Sequence, residues 1–158
     1  MQRMTSLDRG LHRRLVDGLY VEAMVMADEA RSYFHGGDDE SAAMEPLRRV
    51  AFTCESLKVT TRLMHIIAWL LSQRAWQRGE IAEDELAQEK YRLGAAAVTD
   101  PALVAEFPFA ARALVDASQD LYDRVARLQD RMDMMARPVG HAPASPARAL
   151  MDRLSLAF

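Results

Sequence analysis

One cysteine, Cys54, stands in the 158 residues. It excludes an internal disulfide or a multi-cysteine metal framework, and it suits a reducing, cytoplasmic setting. A membrane span of about 20 apolar residues is also missing: the most apolar window, Leu63 to Leu71, is far shorter and contains His65. The opening residues, MQRMTSLDRGLHRRL, scatter charge where a secretory signal would need an apolar stretch. A net charge of -3 argues against binding nucleic acid through bulk charge, so Arg13, Arg14, Arg48 and Arg49 read as solvated helix flanks.

Catalytic signatures are absent as well. His12, His35, His65 and His141 are far apart, and no HExxH, GxSxG, Walker or dinucleotide fingerprint occurs. The carboxylates at Asp38, Asp39 and Glu40 and at Glu83, Asp84 and Glu85 lie in solvated runs with no apolar surroundings to perturb them. No catalytic residue, metal or cofactor is expected.

Apolar residues make up half of the chain, enough for a single core. The longest helical pattern, Leu47 to Arg78, has no internal Gly or Pro. It places Val50, Cys54, Leu57, Thr61, Met64, Ala68, Leu71 and Ala75 on one face and Phe52, Val59, Leu63, Ile66 and Leu70 roughly opposite. A helix apolar on two faces needs neighbours on both, one of which can be another copy of the chain. Cys54 reads as a small core residue and His65 as a polar residue at the core edge.

Before this spine, Gly10 to His35 carries apolar residues at helical spacing and stops at Gly36 and Gly37. Ser41 or Glu45 can cap the spine, with Pro46 in its first turn. After Gly79, Glu80 to Leu93 reads as a short exposed helix, residues 94–106 as an Ala-rich loop with one turn after Pro101, and Pro108 to Arg137 as a third long helix. Residues 1–136 are thus expected to form an all-α, up-down-up three-helix bundle with a short additional helix. Residues 137–158 are expected to be a flexible tail, with Leu150, Met151, Leu154 and Phe158 spaced as a short amphipathic recognition element.

One further pattern concerns Glu55, Lys58, Arg62, Trp69 and Trp76, whose spacings put them on a single flank of the spine. Charged residues beside tryptophans suit a partner-docking strip. Local ion pairs with tryptophans capping the core are the simpler reading.

The segment Glu55 to Ala75, ESLKVTTRLMHIIAWLLSQRA, with EARSYF at 29–34 and LYDRVARL at 121–128, resembles the regulator of CtrA degradation (RcdA) family. The resemblance spans all three long helices. It implies a small dimeric three-helix protein with a mobile tail, acting as a non-enzymatic adaptor that joins substrates such as CtrA-like regulators to the ClpXP protease together with a response-regulator adaptor. The expected homodimer seam is Val59, Leu63, Ile66 and Leu70, or whichever face of the spine the other helices leave uncovered. The alternatives are a helical regulator of a signalling or transcription factor without protease delivery, or a ligand-binding bundle.

Overall fold

A computed structural model describes residues 6–36 and 40–137. The expectations for the tail, including Leu150, Met151, Leu154 and Phe158, lie outside the described residues. Every regular element among the described residues is helical: α1 (Ser6–His35), α2 (Pro46–Gln77), α3 (Glu83–Leu86), a 3-10 turn (Glu89–Tyr91), α4 (Pro101–Val104) and α5 (Phe109–Ala136). The expected exposed helix at 80–93 is broken into α3 and the 3-10 turn, because five acidic residues in that stretch leave few apolar anchors to hold longer helix.

The helix ends follow from local chemistry. Glu45 is the residue before α2 but makes no side-chain cap bond. The turn is held instead by Arg49, whose guanidinium donates to the carbonyls of Ser41, Ala42 and Met44. At the far end Gly79 takes φ 76°. Its N–H reaches the Trp76 carbonyl and that of Glu80 the Ala75 carbonyl, the paired bonds of a left-handed helix stop that favours glycine. Asp100 Oδ1 accepts from the Ala102 N–H at 2.9 Å and caps α4, with Pro101 in its first turn.

The three long helices differ from the expected up-down-up order. His12 of α1 bonds Gln73 of α2, while Phe34 meets Phe52 with ring centroids 5.4 Å apart, so α1 and α2 are antiparallel. Arg62 bonds Ser118 and Trp69 bonds Gln129, so α2 and α5 advance in the same direction. The expectation of alternating directions assumes short joins. Here the join is long and returns along the bundle. The roughly 20 Å that Leu93 to Thr99 span when extended matches the about 21 Å of helix from Trp69 back to Glu55. These residues form a strap along α2 and α5, and Phe107 then packs on Phe52 before α5 begins.

The core fills the space between the long helices. Val16, Leu19 and Ala23 of α1, Val59, Leu63, Ile66 and Leu70 of α2, and Leu114, Leu121, Val125 and Leu128 of α5 are all buried. Val59, Leu63, Ile66 and Leu70 are therefore the inside of the subunit, which removes them as the expected dimer seam. The opposite face of α2 is the uncovered one. Leu47, Val50, Leu57, Met64 and Leu71 stay exposed there, Leu47 at 85% and Met64 at 64%. Cys54 shares that exposed face and is not a core residue. No helix among the described residues is long and apolar enough to cross a membrane.

Candidate functional site

The flank that the sequence offers as a docking strip is occupied by the chain's own strap. Glu55 and Arg62 are each 1% exposed, and Trp69 is buried too. Thr99 Oγ1 donates to Glu55 Oε2 at 2.7 Å and accepts from Arg62 Nη2. Arg62 also donates to Ser118 Oγ of α5 at 3.2 Å and to the Ala97 carbonyl at 3.1 Å. Lys58 Nζ completes the set, reaching Glu55 Oε1 at 2.7 Å and the Val98 carbonyl at 3.0 Å.

The physical need is plain. An Ala-rich extended strap makes no internal ladder of backbone bonds, so its carbonyls require donors from elsewhere. Arg62 supplies several in one rigid fork, and Glu55 balances its charge. Burial pushes the Arg62 guanidinium below its ordinary value, while the negative charges of Glu55 and Asp123 oppose that shift.

Further down, Gln129 Oε1 accepts both the Trp69 indole N–H at 3.1 Å and the Leu93 N–H at 2.9 Å. Tyr122 donates to the Gly94 carbonyl at 2.7 Å, and Arg92 pairs with Asp133 through two bonds of 3.1 and 2.6 Å. That pair draws the Asp133 carboxyl below its usual range and raises Arg92. Glu55, Lys58, Arg62 and Trp69 are thus internal fasteners, which corrects the docking reading for them. Trp76 is half-buried at the lower end of the bundle.

Trp76 opens onto a cavity of about 400 Å³ between the end of α2, α3, the 3-10 turn and the last turns of α5. Trp69, Trp76, Leu86, Tyr91, Met132 and Met135 form its apolar wall, with Glu83 and Arg9 among its polar lining. The amide of Gln129 and the Arg92–Asp133 pair also line it, already engaged with one another's neighbours as described. No group of three or more His, Cys, Asp or Glu residues is placed to hold a metal ion among the described residues.

His12 lies beside this end of the bundle, 3.3 Å from Gln73 Oε1 and edge-on to Trp76 at 6.0 Å. Desolvation lowers its pKa from 6.5, and the Gln73 bond only partly offsets that. A lowered pKa means that the unfolded chain binds the proton more tightly, so His12 favours folding above pH 6.5 and loses that contribution as pH falls through the folded value. Stability should therefore decline on acidification below pH 6.5, and His12→Gln should flatten that segment of the profile. Urea midpoints measured across the window check it, and parallel profiles for the two proteins would refute it.

The outer surface carries the other candidate. An ion pair of 3.4 Å between Arg74 and Asp17, with Arg74 over the Tyr20 ring at 4.5 Å, fixes the register of α1 on α2. That register brings Met24 of α1 level with Met64 of α2. Val21, Met24 and Val25 are exposed on α1 as Leu57, Met64 and Leu71 are on α2, an apolar surface of the kind that marks protein contact. The sequence shows the α2 half of it as one of two apolar faces and does not show the α1 half, because Val21, Met24 and Val25 merge there with the buried stripe.

Fold and surface together define a helical protein whose buried polar residues fasten its own chain and whose α1 and α2 expose large apolar side chains, a bundle suited to contact with other proteins. The chain belongs to the family described as "Protein of unknown function (DUF1465)", which covers residues 7–158. It is also RcdA-like: the crystal structure of RcdA from Caulobacter crescentus CB15 is similar over 80% of this chain and 97% of that one, at 30% identity and a TM-score of 0.63. No curated protein matches.

Proposed function

We propose that this protein is a cytoplasmic, non-enzymatic adaptor of regulated bacterial proteolysis, which links substrates of the CtrA-like regulator class to the ClpXP protease in concert with a response-regulator adaptor. The resemblance to the RcdA family supplies the identity of the partners. The observation that carries the reading is the exposed apolar face of α1 and α2, because an adaptor acts through surface that its own fold leaves uncovered.

The same face supports a homodimer. Leu57, Met64 and Leu71 replace the seam expected from the sequence, and Val21, Met24 and Val25 extend it. Light scattering at high micromolar concentration should give the mass of two chains. Met64→Asp with Leu71→Asp should give one chain that still folds, since both side chains face water in the single subunit. A monomeric wild type would remove the dimer.

ATP-dependent degradation of a CtrA-like substrate by ClpXP, with and without this protein and the response-regulator adaptor, tests the function. Faster degradation is expected. Binding to the substrate with no change in its lifetime would favour the alternative, a helical regulator that holds a signalling or transcription factor without delivering it to a protease.

A further inference from the structure

The cavity at the lower end of the bundle is open, apolar and within the range of about 300–1,000 Å³ typical of ligand pockets. Its wall includes Met132, Met135 and Ala136, and the described chain stops at Arg137. Residues 138–158 are therefore tethered at the cavity's own rim. We propose that the cavity is the docking site for the end of this same chain, with Leu150, Met151, Leu154 and Phe158 covering Trp76, Leu86, Tyr91 and Met135.

Three observations select this occupant. The first is reach: a Pro-, Ala- and Gly-containing connection of about a dozen residues spans roughly 17–21 Å as a coil, which is ample from an attachment point on the rim. The second is concentration. A segment so tethered meets the cavity at an effective concentration of about millimolar, so weak contacts suffice to fill it. The third is charge: Arg148 and Arg153 stand beside and among the apolar residues, and Glu83, in the acidic first turn of α3, lines the cavity. Asp152 has a counterpart in Arg9 of the lining.

The inference stands apart from the adaptor reading and is tested without protease or substrate. Both tryptophans of the chain line the cavity, so intrinsic fluorescence reports on it directly. In the full chain, Leu150→Ala, Leu154→Ala and Phe158→Ala combined should shift the emission to the red and raise quenching by acrylamide. A synthetic peptide of residues 147–158 should reverse both changes, and should bind the wild type at least about 10-fold more weakly because the tethered copy competes. Met135→Asp, on the wall and 56% exposed, should open the cavity without loss of Tm and give the same red shift from the other side of the contact. Unchanged emission in the tail variant, or equal peptide binding to variant and wild type, would overturn the proposal. A difference that disappears on dilution would overturn it too, because the occupant would then come from a second copy.

Discussion

Arg62→Met should destabilise the protein by about 2–5 kcal/mol, because it removes a buried charged donor and leaves its acceptors unsatisfied, at about 1–3 kcal/mol each. The substitution removes the second positive charge near the Glu55 carboxylate, which keeps Lys58, and it takes donors from Ala97, Thr99 and Ser118 together. Against the roughly 5–15 kcal/mol that holds a domain of ordinary stability together, this is a large fraction. Urea denaturation measures it as a fall in midpoint. Glu55→Gln added to Arg62→Met should recover part of the loss, with a coupling of about 0.5–3 kcal/mol between the two sites. A cost for Arg62→Met below about 1 kcal/mol would mean that these bonds contribute no more than solvated surface contacts do, and the strap would then need another explanation for its position.

The strap makes the second expected result specific to one glycine. A Cβ added at Gly94 would come within 2.7 Å of the His65 ring. The Gly94 carbonyl is held by Tyr122 and the Leu93 N–H by Gln129, so the backbone has little room to lift away. Gly94→Ala should cost about 1–3 kcal/mol, as overpacked sites do. The ring of His65 is the obstacle, and its Nδ1 is buried without a hydrogen-bond partner, so His65→Ala should relieve the clash. The double variant should be more stable than the sum of the single effects allows, by at least about 0.5 kcal/mol. Simple additivity in thermal or urea melts would show that the strap accommodates the methyl group without using the histidine.

These two sites also mark where sequence and structure part. The three long helices were legible because their apolar periodicity runs unbroken for seven or more turns, and Gly36, Pro46, Gly79, Pro101 and Pro108 punctuate the elements where the chain indeed changes course. The family likeness was legible in the spine itself. Which face of the spine is inside was not. Both faces are apolar, and periodicity alone assigns no partner to either; the smaller, more polar composition of Cys54, Thr61 and Ala68 was the available hint that their face meets water.

The strip from Glu55 through Arg62 to Trp69 is legible as a line but not as an inward-facing one, because charge at helical spacing ordinarily faces solvent. What turns it inward is a partner distant in sequence. Residues 94–99 carry little side chain of their own, and nothing in their composition announces that they lie extended against α2. The parallel course of α2 and α5 was hidden for the same reason, since it depends on the length that the join covers in space.

That parallel pair has a bearing on how the chain acquires its shape. Two neighbours pointing the same way cannot be brought together by a tight turn; closing the intervening stretch of about 30 residues costs roughly 3 kcal/mol in chain entropy before any contact is returned. The first two helices, only ten residues apart in sequence, have no such obstacle and are expected to associate early. A nascent polypeptide leaving the ribosome would then pass through a half-bundle with one greasy flank bare, waiting for its last helix to arrive.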